Sequence, residues 1–189
     1  QGEEGPHQTV SLKSHIPKVM FFASIGRPRW DAGRNQMFHG NVGIWPIARQ
    51  IPAARWSRNR PAGTLEWKLP SSTKEVYATL VFEKLVPAIL KKWPWVNKRV
   101  LIQQDNATPH ITPAEFCVLW LERKVELQNM HGGGLDWDLQ LCFQLANSPD
   151  TNINDIGFFV LIQALHFQHP DANIGELCMK VLRLYQTYP

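Results

Sequence analysis

Residues 98–105, KRVLIQQD, set the tightest limit on what this chain can fold into. Val100, Leu101 and Ile102 form an apolar run that is short and ends in polar residues, which is how a buried strand reads. Helical spacing lies on both sides of it. Upstream, Val76, Leu80, Phe82, Leu85, Val86 and Ile89 recur roughly at the helical period. Ser72 or Thr73 stands ready to cap that helix, and Glu75 lies close to the capping-box position. Pro87 is expected to kink it and Pro94 to end it. Downstream, Thr112 as cap and Pro113 in the first turn open a second helix running through Met130. The stretch HGGGLDW (131–137) breaks that helix, and DLQLCF (138–143) alternates as another strand. Two strands joined by a helical crossover are expected to lie parallel in one sheet.

The flanks complete an α/β pattern. KVMFFASIG (18–26) and GNVGIWPIA (40–48) read as two strands of a long hairpin, with residues 27–38 as its loop. Residues 49–72 hold several prolines and Arg55, Arg58 and Arg60, and read as a long, basic, irregular insertion. Residues 146–155 are turn-rich, and IGFFVLIQALHFQ (156–168) reads as an apolar helix. A last amphipathic helix is expected over about 173–186, with Ile174, Leu177, Cys178, Val181, Leu182 and Tyr185 on one face. At 189 residues with 44% hydrophobic and 19% charged content, one globular domain is expected over 1–189. No stretch is apolar and long enough to span a membrane, and the polar, acidic QGEEGPH does not read as a signal peptide. The formal charge of +4 suits a polyanionic partner without requiring one. Cys117, Cys142 and Cys178 are far apart, show no zinc spacing, and read as buried reduced thiols.

Asp105 closes a predicted parallel strand, where open α/β sheets place their sites. Asp150 and Asp155 flank the turn before the apolar helix. Carboxylates from two such segments can converge on Mg²⁺, which prefers oxygen ligands. The plainer alternative makes Asp150 and Asp155 helix caps and Asp105 a turn former. HGGGLD has the look of an oxyanion-hole loop, but no Gly-x-Ser-x-Gly elbow accompanies it. His166 and His169 lie three apart on a predicted helix without a clear acidic partner.

The motifs VLIQQDNATPHI and NSPDTNINDIGFF resemble two catalytic segments of mariner-like transposases. In that family an Asp is followed by Asn-x-x-Pro-His, and a third acid lies five residues after a Ser-Pro-Asp aspartate. SRNRPAGTLEWK, STKEVY and KVMFFASIGRPRW are similar to the plant and oomycete branch. The likeness runs over nearly the whole chain in unchanged motif order. It implies a ribonuclease-H-like mixed sheet flanked by helices, and a catalytic domain that cuts and joins DNA with three acids and two Mg²⁺ or Mn²⁺ ions. It implies that Asp105 is the second acid and Asp155 the third, both metal ligands. Asn106 and His110 would support the metal site or touch DNA, and Asp150 would order the turn. The implied setting is nuclear DNA, with a homodimer as the common working form.

The departures are specific. The family's first acid sits on a strand upstream of KVMFFASIG, and this chain begins after that point. Asp31 follows the wrong strand to replace it, and Glu3 and Glu4 precede a strand. The expected domain is therefore partial, lacking a strand that is central in ribonuclease-H-like folds. HQTVSLK (7–13) is the nearby alternation available to fill the slot. Asp105 and Asp155 are fifty positions apart, longer than that branch usually shows. Leu145-Ala146 stands where the family has a Pro-Pro pair. Arg55, Trp56, Arg58 and Arg60 are candidates for DNA contact, the arginines through phosphates and the Trp through stacking. Two readings follow: a metal-dependent transposase core, impaired as given, and a non-catalytic relic that binds DNA or protein.

Overall fold

A computed structural model describes residues 19–58, 60–94, 98–131, 136–146, 148, 152, 154, 159–160 and 174–187. The chain is a mixed α/β structure of small sheets and helices. Strand β1 (Phe21–Ile25) pairs antiparallel with β4 (Asn41–Pro46), as the hairpin reading expects. The connection between them is not plain loop. It holds a short antiparallel pair, β2 (Arg29–Asp31) and β3 (Gln36–Phe38). Gly40 closes the long hairpin at φ +89°, and a Cβ there would lie 2.1 Å from the Gly26 carbonyl oxygen. Only glycine fits that approach.

Residues 49–72, expected to be irregular, contain an antiparallel pair, β5 (Arg49–Pro52) and β6 (Leu65–Lys68). Pro52 ends β5, and neither strand is buried, so the alternation that marks a half-buried strand is missing from the sequence.

Thr73 caps α1 (Lys74–Leu80), its hydroxyl accepting from the Val76 N–H at 3.4 Å. A π-helical turn, Val81–Leu85, then leads into α2 (Val86–Lys92). Pro87 sits in the first turn of α2 and has no N–H to give the preceding turn. A local widening of the helix absorbs that loss without breaking the chain direction. Glu115 and Thr112 form a reciprocal box at the start of α3 (Pro113–His131). The Thr112 N–H donates to Glu115 Oε2 at 2.7 Å, and the Glu115 N–H donates to Thr112 Oγ1 at 3.2 Å.

Strand β7 (Arg99–Gln104) pairs parallel with β8 (Asp138–Phe143) across the α3 crossover. The final helix is α4 (Ile174–Thr187). Of the predicted helix at 156–168, Phe159 and Val160 are described and are helical, and the rest lies outside the described residues.

Two apolar clusters build the body. The larger joins Val42, Val100, Leu139 and Leu141 from the strands to Val81, Phe82, Val86, Ile89, Phe116 and Trp120 from the helices. The Phe82 and Phe116 rings stack at 5.3 Å between α3 and the π-turn. The smaller cluster packs Val181 and Tyr185 of α4 against Ile44, Phe21, Ala23 and Ile25. Paired residues on β1 and β4 share a face, and the register shifts between Ser24 and Ile25. Val42 is the extra residue of that bulge, which lets Val42 and Ile44 serve different clusters despite their equal parity. The thiols differ from expectation. Cys178 is buried and Cys142 half-buried, but Cys117 is exposed on the outer side of α3. Among the described residues no helix is long and apolar enough to cross a membrane.

Candidate functional site

The parallel pairing of β7 and β8 delivers Asp105 to the carboxyl end of β7. Its Oδ1 accepts from the Ala107 N–H at 2.9 Å, a turn that reverses the chain just beyond the strand. His110 comes back onto it. The His110 Nδ1 lies 2.9 Å from Asp105 Oδ1 and 3.1 Å from the Asp105 carbonyl oxygen. Both neighbours are acceptors, so Nδ1 is the ring nitrogen that donates. Asn106 turns the other way and donates from Nδ2 to the Gln144 carbonyl at 3.1 Å, tying the end of β7 to the end of β8. Asp105, Asn106 and His110, singled out together from the sequence, thus form one local assembly.

Beneath them lies a buried polar pair that the sequence did not signal. The Tyr77 hydroxyl of α1 donates to Gln104 Oε1 at 2.7 Å, and Gln104 Nε2 donates to the Ile111 carbonyl at 2.6 Å. The Tyr77 ring lies 4.1 Å from the His110 ring. Burial pushes the Tyr77 phenol far above its usual range, and the Asp105 charge pushes it further. Tyr77 therefore serves here as a neutral hydrogen-bond donor and an apolar wall.

Asp105, His110, Tyr77 and Gln104 line a cleft of about 490 Å³, into which Arg27, Asn152 and Asn154 also open. Asn154 Nδ2 donates to the Ala23 carbonyl at 3.4 Å. Asp150 and Asp155 lie outside the described residues. Asn154, the residue before Asp155, is described and reaches the same cleft as Asp105.

As a metal donor set, the described residues fit in part. The Asp105 side chain is 47% exposed, and its Oδ2 accepts no hydrogen bond among the described residues, so it is open to a ligand. Among the described residues no three His, Cys, Asp or Glu side chains converge on one point. Asp31 does not substitute. It is buried at the end of β2, where it accepts from the Gly33 and Arg34 N–H groups at 3.0 and 3.2 Å. The Arg34 guanidinium pairs with Asp31 Oδ2 at 3.4 Å and also donates to the Lys91 and Lys92 carbonyls at the end of α2.

The basic insertion forms its own surface. Arg55 and Arg58 are exposed, and Trp56 is 72% exposed at the tip of the β5–β6 hairpin. Arg60 is committed otherwise, pairing with Glu66 of β6 at 2.6 Å. Its place in the motif gave no sign of that partner, because the pairing depends on a hairpin register invisible in composition.

Neither protein-family models, nor curated proteins, nor solved structures contain a match to this chain.

Proposed function

We propose that this chain is the catalytic core of a DNA transposase of the mariner-like type, with a ribonuclease-H-like sheet and a metal-dependent phosphodiester chemistry. The observation that carries this reading is the shared cleft. Asp105 stands at its rim at the carboxyl end of a parallel strand, and Asn154 enters it from the segment that holds Asp155. Asp105 and Asp155 would hold Mg²⁺ or Mn²⁺, with Asp150 ordering the turn before Asp155. When bound, such ions stabilise the attacking and leaving oxygens of an in-line displacement. In that displacement an oxygen of water or of a DNA 3′-hydroxyl attacks phosphorus, losing its proton, and the departing oxygen leaves with the bond pair and is protonated.

The chain's own residues have positioning roles. The Ala107 N–H and His110 fix the Asp105 carboxylate through Oδ1, and this leaves Oδ2 for the ligand. Arg27, exposed at the cleft, supplies positive charge for a phosphate. Arg55, Trp56 and Arg58 would guide nuclear DNA toward it, in a homodimer.

One observation favours the second reading, a non-catalytic remnant that binds DNA or protein. The described residues bring a single acid, Asp105, to the cleft. Calorimetric titration of Mn²⁺ into the protein, Asp105→Asn and Asp155→Asn separates the two. Binding that disappears in both variants supports the catalytic core. Weak binding that is equal in all three proteins overturns it and leaves the remnant.

A further inference from the structure

Arg27 and Arg29 both line the cleft, and neither guanidinium has a hydrogen-bond acceptor or an ion-pair partner among the described residues. Arg34, Arg60 and Arg99, by contrast, pair with Asp31, Glu66 and Asp138. Asp31, two residues past Arg29, is buried and also accepts from the Gly33 and Arg34 N–H groups. Asp105 is the one acid among the described residues that lines the cleft, and it lies at the other end. Phe22, early in β1, and Gln104, at the end of β7, both contact Tyr77, whereas Gly26, just past β1, abuts Trp93. From Phe22 to Gly26 a strand covers about 13 Å, so the Asp105 carboxylate does not neutralise the two arginines.

The local chain holds the pair in place. Pro28 fixes φ between them, and Arg27, as the residue before a proline, is biased to extended backbone. Side chains two apart on extended backbone leave on the same side, roughly 7 Å apart. Arg29 is held further by Trp93: its guanidinium carbon lies 4.4 Å from the indole centre. Trp93 is itself seated, with its ring 5.6 Å from that of Phe38 and so close to Gly26 that a Cβ there would lie 2.9 Å from it. A guanidinium lying on an indole face is oriented in advance and keeps its edge nitrogens for donation. Two donors at this stack go unanswered. Arg29 Nε and Trp93 Nε1 are both shut off from solvent with no acceptor among the described residues. A buried donor without an acceptor is costly. Two unpaired cations beside two unanswered donors call for a ligand that is negative and rich in acceptor oxygens.

We propose that Arg27 and Arg29 form a binding site for a phosphate group at the Trp93 end of the cleft. Arg27, which is exposed, meets the phosphate from the solvent side, and the half-buried Arg29 meets it from the indole face. A small turn of the Arg29 guanidinium would bring Nε to a phosphate oxygen. A nucleic-acid backbone and a free phosphate share this chemistry. The backbone as source rests on the DNA reading of the chain; the site itself does not, since it uses neither Asp105 nor Asp155.

The test is NMR of the Arg29 Nε–H and Trp93 Nε1–H signals in the whole chain. Sodium phosphate and, separately, a DNA single strand of about twelve nucleotides are added at constant ionic strength. Both signals are expected to shift and to saturate. Arg27→Gln, at an exposed position, is expected to raise Kd about tenfold with the fold intact. Arg29→Lys keeps the charge but loses the fork of donors, and is expected to weaken binding as well. Asp105→Asn is expected to leave Kd unchanged, so that a failure of metal binding and a failure of this site are read separately. A strand Kd below that of phosphate assigns the site to the nucleic-acid backbone; a phosphate Kd equal to it or lower assigns the site to a small phosphate ligand. Signals that neither ligand moves, or shifts that saturate at the same Kd in Arg27→Gln, would overturn the site.

Discussion

Tyr77 and Gln104 show how one helix side chain can hold up a catalytic-looking loop. Gln104 is 7% exposed, and both ends of its amide are spoken for, one by the Tyr77 hydroxyl and one by the Ile111 carbonyl. Tyr77→Phe removes the donor and leaves Oε1 buried without a partner. The expected cost is about 1–3 kcal/mol in urea unfolding. Gln104 also ties β7 to the residue just after His110, so the variant is expected to broaden the His110 ring resonances; sharp, unmoved resonances would show that the pair is not what seats that loop. Glu115 makes a pH-dependent contribution of another kind. The Thr112 N–H, then Lys74 and the Thr112 hydroxyl, hold its carboxyl down at about 2. A depressed folded value means the cap supports the fold fully above the ordinary value of 4.5 and loses that support as pH falls toward about 2. Glu115→Gln is expected to remove that part of the acid destabilisation, read as a shallower fall of the melting temperature over this window. An identical fall in both proteins would sink the assignment.

At the scale of elements, legibility followed burial. β1, β4, β7 and β8 carry apolar runs because their side chains enter the two clusters, and those runs stood out in the sequence. β5 and β6 bury little, and β2 and β3 are three residues each, so no period marked them. The π-turn was hidden for a different reason. Pro87 announced a disturbance, but whether a helix kinks or widens depends on what its next turn packs against. Here Val81, Phe82 and Leu85, all nearly inaccessible to solvent, lock that turn onto the core. Phe82→Ala would empty the contact with Phe116, and the expected loss is about 3–5 kcal/mol. Circular dichroism during denaturant unfolding checks it, and a loss under 1 kcal/mol would mean that α3 closes over the gap. The site was legible where it is local: Asp105, Asn106 and His110 fall within one turn. Tyr77 was read only as the last residue of STKEVY, and Asn154 only as part of NSPDTNINDIGFF, neither with a role of its own, because their contribution exists only after α1 and the segment beyond β8 are folded over β7.

For the whole molecule, the charge of +4 is modest, so where the positive charges sit decides whether DNA is held. Arg60 is neutralised by Glu66, and Lys74 and Lys98 pair with Glu115 and Asp136. Arg55 and Arg58 stand exposed beside Trp56 on the hairpin. A phosphate contact releases counterions, which makes affinity fall with salt by a slope of about −0.9 per contact on duplex DNA. If these two arginines each meet a phosphate, the double variant Arg55→Ala, Arg58→Ala is expected to flatten the slope of log K against log salt by about 2. Its unfolding free energy is expected to stay within about 0.5 kcal/mol, since neither side chain is buried. Trp56→Ala is expected to weaken binding to single strands by about 1–3 kcal/mol while leaving that slope unchanged, because stacking carries no charge. Fluorescence anisotropy with a labelled duplex and a labelled single strand, repeated across salt concentrations, distinguishes these outcomes. A slope unmoved by the double variant would overturn the proposed DNA contact at the hairpin, and Arg27 at the cleft would be the next residue to substitute.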